Sequence, residues 1–138
     1  MDVIPFPVWP VYCYVDGDGE NAIIRWLDEN GVSSQMRGTL QSFIEIVQYN
    51  DPSAVPGVIV RISKDLEAFR GVRKGEQPVF LIFCRSVYTD CEITLLNASR
   101  APRESLADAR SNLETIRRDR RRRRYEPITR RLAGNLQG

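Results

Sequence analysis

"PVFLIFCR", residues 78–85, decides the fold. From Val79 to Cys84 it has no polar side chain. A strand with one wet face alternates apolar and polar residues, so an unbroken apolar run of this length reads as a central strand buried on both faces. Two further strand candidates flank it: "LEAFRGVR" (66–73) before it and "CEITLLNA" (91–98) after it. The links around "KGEQ" and "SVYTD" are short, which favours consecutive antiparallel pairing.

Moving outward, "VYCYV" (11–15) is rich in β-formers and predicts a first strand, and "DGDG" (16–19) a turn. "ENAIIRWLDEN" (20–30) puts Ile23, Ile24 and Leu27 on one helical face, with a stop at Asn30-Gly31. Ser33 or Ser34 caps a second helix, in which Met36, Leu40, Phe43, Ile44 and Val47 recur at helical spacing. The short link predicts an antiparallel helical hairpin. "NDPSAVPG" (50–57) breaks the pattern. Pro102 suits the first position of a last helix, whose apolar face is Leu106, Ala109, Leu113 and Ile116. "RRDRRRRRYEP" (117–127) is expected to prolong that helix to Pro127. The order is β-α-α-β-β-β-α: an α+β domain with an antiparallel sheet packed against an N-terminal helical hairpin, and a basic C-terminal helix. Residues 1–10 read as an extended arm packing through Phe6 and Trp9, 11–120 as the domain, and 121–138 as an Arg-rich extension.

The chain of 138 residues is long enough for one domain with a real core. No apolar run approaches the ~18 residues that span a bilayer. The opening "MDVIPFPVWP" lacks the basic and apolar regions of a secretory signal, so a cytoplasmic protein is expected. Cys13, Cys84 and Cys91 have no zinc-type spacing and read as buried thiols. Histidine is absent. So are a Walker loop, a G-x-G-x-x-G turn and the spaced carboxylates of a calcium loop; no metal and no small-molecule cofactor is expected. The net charge of +2 hides an asymmetry: residues 1–99 carry a net −5 and residues 100–131 a net +7. All but two of the 20 positive side chains are arginine, whose planar fork suits phosphate. A basic C-terminal third on an acidic body suggests a polyanionic partner.

The element order, with "KDLEAFRGVR…PVFLIF…ITLLNASRAPRESLADARSNLE", resembles the RelE/HigB-type toxins of bacterial toxin–antitoxin systems, in their HigB-like, phage-derived branch. Lys64 and Leu66 stand near the first element of that pattern, Phe69-Arg70 at the strand position, Leu95-Leu96-Asn97 at the end of the last strand, and Ala109-Arg110 in the helix. The resemblance spans about residues 11 to 120. It implies an endoribonuclease that cuts messenger RNA, commonly on the ribosome, and is silenced by a cognate antitoxin. The ribose 2′-OH attacks the adjacent phosphate without a metal. The chain departs from the family at the start of the central strand, where Pro78-Val79 replace an arginine pattern, and in the shortened basic loop "SRAPR".

Stabilising a phosphorane-like transition state requires preorganised cations. Arg70, Arg73 and Arg100 are the catalytic candidates, with Arg70 foremost because a strand holds it rigidly. The competing reading of Arg70 is a surface arginine paired with a carboxylate such as Glu92. Lys64, Lys74, Arg103, Arg117, Arg120, Arg121 and Arg124 are candidates for RNA binding, and Tyr125 either stacks on a base or packs on the helix end. The general base is one of Asp, Glu, Tyr, Lys or Cys. The alternative to catalysis is a module of the same fold that binds RNA, the ribosome or an acidic protein through its basic helix.

Overall fold

The computed structural model describes residues 9–49, 57–88 and 91–125. Residues 1–8 of the expected arm, most of the 50–57 breaker and the expected stop at Pro127 lie outside them. The fold is α+β. Six strands form one sheet: β1 (Val11–Tyr14), β2 (Ile59–Arg61), β3 (Glu67–Gly71), β4 (Val79–Arg85), β5 (Ile93–Ser99) and β6 (Arg123–Tyr125), in the spatial order β2-β3-β4-β5-β1-β6. Every pairing is antiparallel except β1 with β5, where Val11 lies beside Ile93 and Cys13 beside Leu95. The three helices are α1 (Ala22–Glu29), α2 (Ser34–Tyr49) and α3 (Leu106–Arg118).

The strand that opened the reading, β4, lies inside the sheet with apolar layers on both sides. Leu81 and Phe83 join Ile23, Leu27, Met36, Leu40 and Ile44 in the layer under α1 and α2. Ile82 and Cys84 join Ala68, Leu96, Ala109, Leu113 and Ile116 under α3. The alternation of side chains along one apolar strand thus feeds two cores. On the first face α1 packs chiefly on β5 and α2 on β3. The Arg37 guanidinium joins the two helices, donating to Asp28 at 2.7 Å and to the Val32 carbonyl at 3.1 Å. Gly71 lets α2 come close: a Cβ there would lie 2.8 Å from Leu40 Cδ2 and from Met36 Sδ.

Local chemistry sets the element ends. Asn21 caps α1, its Oδ1 accepting from Ile23 and Ile24 N–H. Ser33 caps α2 by accepting from Met36 N–H at 3.1 Å. Asp16 Oδ1 accepts from Asp18 and Glu20 N–H, making "DGDG" a turn, with Gly19 at φ +80°. A 3₁₀ turn, Pro102–Ser105, leads into α3.

Three expectations are corrected. The strand expected over 66–73 is shorter, and an additional strand, β2, precedes it; "VIVR" (58–61) carries the β-formers but directly follows the Pro/Gly breaker. Cys91 is exposed, unlike the buried Cys13 and Cys84, because it sits in the β4–β5 turn with φ +60°. The largest change is at the arginine run, where α3 stops at Arg118. Asp119 is extended (φ −145°, ψ 104°), its carboxylate accepts from Arg121 N–H, and a 3₁₀ turn (Arg120–Arg122) swings the chain into β6. The expected domain end at residue 120 therefore falls inside a turn whose next three residues pair with β1.

Candidate functional site

What holds the arginines against the sheet is a buried carboxylate between aromatic rings. Glu92, at the foot of β5, is 1% exposed. Its Oε1 accepts from Tyr88 N–H at 2.9 Å and from Arg123 Nη1 at 2.6 Å. The Arg123 guanidinium lies 3.8 Å from the Tyr12 ring centre and 4.6 Å from that of Tyr88. Arg120 covers Tyr88 at 4.2 Å, and Tyr125 meets Tyr12 edge-on at 5.6 Å. The result is a ladder, Arg120–Tyr88–Arg123–Tyr12–Tyr125, along the outer edge of the sheet. Cation–π attraction strengthens as water is removed, which favours it at Arg123. Beside the ladder, Arg122 donates to the Val15 carbonyl at 2.7 Å and to the Tyr14 hydroxyl at 2.8 Å. The Tyr88 hydroxyl donates to the Ile116 carbonyl, tying the β4–β5 turn to the end of α3.

The run is therefore divided. Arg120, Arg122 and Arg123 are engaged inward. Arg117 and Arg118 are exposed and have no hydrogen-bonding or ion-pair partner among the described residues. Arg121 is 89% exposed at its side chain although paired with Asp119. Arg124 is exposed and points to the other side of β6, reaching the Gly19 carbonyl at 3.5 Å. Tyr125 is 48% exposed and sits on the sheet edge, away from the helix end.

The three arginines expected to act together do not share a face. Phe69 and Gly71 face α2, so Arg70, between them on β3, faces the α3 side. It is exposed and its guanidinium has no partner among the described residues. It lies in one cross-strand row with Phe80 and Ser99. Its expected alternative partner, Glu92, is held by Arg123. Arg73, by contrast, turns toward α2, donating to Thr39 Oγ1 at 3.2 Å and pairing with Glu76 at 3.4 Å. Arg100 packs over Trp26 of α1 at 5.7 Å and donates weakly to the Gln77 and Asn30 carbonyls, both at 3.4 Å.

Lys64 in the β2–β3 turn, Lys74 in the β3–β4 turn and Arg103 before α3 are exposed and unpartnered among the described residues. Arg85 forms a two-pronged pair with Glu67 at 2.5 and 2.7 Å and is structural. A groove of about 420 Å³ runs beside α3 between Asp65, Arg110, Glu114, Arg117 and Arg118. Arg110 pairs with Asp65 at 3.6 Å across it. Burial pushes the Cys84 thiol upward, partly offset by Arg117 nearby, so this cysteine is no activated nucleophile.

The opposite side of the molecule is acidic. Arg25 is clasped by Asp16, Asp18 and Glu29 at 2.8–3.1 Å, and Asp18, Asn21, Asp28 and Glu29 line a hollow of about 480 Å³. No group of three or more His, Cys, Asp or Glu side chains among the described residues is placed to hold a metal ion, and no helix among them is long and apolar enough to cross a membrane. No family model matches the chain and no curated protein is found to be similar to it.

Sequence reasoning offered Glu92 as a partner for Arg70 and missed its pairing with Arg123, and it missed Tyr12 and Tyr88 as partners of the arginines. A signal existed: "CEITLL" puts a carboxylate at the foot of a strand that is otherwise buried, and such a charge requires a counter-ion.

Proposed function

We propose that the protein is a toxin-like endoribonuclease of the RelE/HigB type that acts on messenger RNA on the ribosome and is neutralised by a cognate antitoxin. The observation that supports this reading best is Arg70. Its backbone is held by β3 between two paired strands, and its exposed guanidinium has no partner among the described residues, on the sheet face that also carries α3 and its arginines. An arginine so placed can receive a phosphate without first giving up an ion pair among the described residues. In the reaction, the ribose 2′-OH attacks the adjacent phosphorus, Arg70 offsets the charge that grows on the non-bridging oxygens, and the 5′-oxygen leaves with a proton. The products are a 2′,3′-cyclic phosphate and a 5′-hydroxyl end. Lys64, Lys74 and Arg103 serve as outlying phosphate contacts that position the strand without reading its sequence.

The test is RNA incubated with the purified protein, with and without translating ribosomes, in excess EDTA. Cleavage is expected, and Arg70→Ala is expected to slow it on the order of 10²–10³-fold. A second reading is favoured by Arg73 and Arg100, which are engaged on the α1/α2 side and leave Arg70 without a second catalytic cation. In that reading the same surface binds RNA, the ribosome or an acidic protein without cutting. RNA left intact at high protein concentration, yet retained in a complex, would establish it.

A further inference from the structure

We infer that the open end of the arginine–tyrosine ladder is a binding site for an unpaired nucleobase, with Tyr125 as its stacking surface and the solvent-exposed Arg121, further back along the same edge, as a phosphate contact. The inference rests on the RNA reading above but uses a different surface. Arg70 lies on β3, three strands away from β1 in the sheet order, whereas the ladder runs along β1 and β6.

The ladder is a stack whose inner members are satisfied. Tyr88 lies between Arg120 and Arg123, and Tyr12 between Arg123 and Tyr125. Tyr125 is the terminal member and meets Tyr12 at an interplanar angle of 61°. One aromatic neighbour therefore covers part of this ring, and 48% of the residue stays in water on a short edge strand. An apolar face so exposed, preceded in sequence by Arg123 and Arg124, is a poor hydrophobic contact for the protein itself. It matches what a single strand offers: a flat π-face attached to a phosphate. Among the described residues Arg121 is bound to the partly exposed Asp119 carboxylate, a contact that exchanges readily for a phosphate in water. A duplex keeps its bases stacked on one another and offers only backbone, so the ladder's end discriminates for single strands. An acidic peptide would use the arginines and ignore the ring.

The experiment uses the full chain and three labelled probes: a 12-nucleotide single-stranded RNA, a blunt RNA duplex of the same length, and a dodecaglutamate peptide, each titrated at several salt concentrations. Tyr125→Ala is expected to weaken the single strand on the order of ten-fold, with the duplex unchanged. Tyr125→Phe should bind like the wild type, because the ring and not the hydroxyl does the stacking. Arg121→Gln should lower the magnitude of the salt slope for the single strand by about 0.7. Melting temperatures of all variants check that the edge strand is intact. If Tyr125→Ala binds the single strand as tightly as the wild type, the stacking site is wrong, while cleavage that depends on Arg70 would leave the RNA reading in place. Equal losses on single strand and duplex, or preference for the peptide, also overturn it. A wild-type protein that binds none of the RNAs overturns the stacking site, and the RNA reading then stands or falls on cleavage in the presence of translating ribosomes.

Discussion

Arginine side chains of this protein take opposite roles within a few residues of one another, and burial decides which. Arg123 is 12% exposed at its side chain and neutralises Glu92, which is 2% exposed. Removing it takes the Arg123 counter-charge from a buried carboxylate, so Arg123→Ala is expected to destabilise the fold by about 3–5 kcal/mol. Arg121, two residues earlier, is in solvent, and Arg121→Ala should leave stability unchanged within about 0.5 kcal/mol. Chemical denaturation of the two variants side by side checks the division; equal effects would mean the run is not folded as described. The sequence displayed the charges but not this sorting, because the counter-charge lies 31 residues away. Arg70 was legible in a different sense. It was expected on a strand, and it lies on β3 with its side chain exposed. Cysteine reactivity follows the same rule of exposure. A thiol reagent is expected to modify Cys91 first in the native protein, with Cys13 and Cys84 reacting only on unfolding, as mass spectrometry of tryptic peptides would report.

At the level of elements, periodicity was sufficient wherever an apolar face met a core. The helices over 22–29 and 34–49 and the strands around 67–71, 79–85 and 93–99 follow from it, and the cap of the second helix at Ser33 or Ser34 followed from residue type, whereas Asn21 as the cap of the first came only with the structure. Asn21→Ala should therefore cost about 1 kcal/mol, the usual worth of a cap that accepts from two amides. Periodicity failed where it ran out. Ile116 is the last apolar anchor of α3, and the arginines of "RRDRRRRRYEP" do not distinguish a helix end from a strand held by rings. Asp119 was the available clue, since aspartate favours capping and turn positions over helix interiors. β6 leaves a specific trace: Val15 N–H donates to the Arg122 carbonyl at 2.7 Å. In amide exchange Val15 should be protected together with the neighbouring sheet. Fast exchange there would return the run to a helical extension.

Across the whole molecule, charge is arranged by side: carboxylates gather about Arg25 beside α1, while among the described residues Arg70, Arg117 and Arg118 stand on the α3 side without a side-chain partner. Several of the carboxyls are held below their ordinary range. For Asp16, partial burial acts upward but is outweighed by N–H donors from Glu20 and Asp18 and by Arg25; Asp65 is lowered chiefly by Ser63, and Asp119 by Arg121. A carboxyl with a depressed folded-state pKa contributes stability above its unfolded value of about 4 and loses it as the pH falls through the lower folded value. With no histidine to titrate between, the melting temperature should stay level from pH 7 to pH 5 and fall below about pH 4. A decline that begins near pH 6 would contradict this. The sidedness of the charge was visible as a basic C-terminal third; its placement on one side required the fold, since β1 and β6 bring residues 12 and 125 together.

The RNA reading depends on one side chain, and the most direct measurement follows it in the cell. The protein and its Arg70→Ala variant are induced in a bacterial host and RNA 5′ and 3′ ends are mapped within minutes. The wild type should arrest growth and generate new 5′-hydroxyl ends within coding regions, opposite 2′,3′-cyclic or 3′-phosphate ends. The variant, folded and equally abundant, should generate none. New ends produced equally by both proteins would remove Arg70 from the chemistry, and the absence of new ends from either would contradict the endoribonuclease.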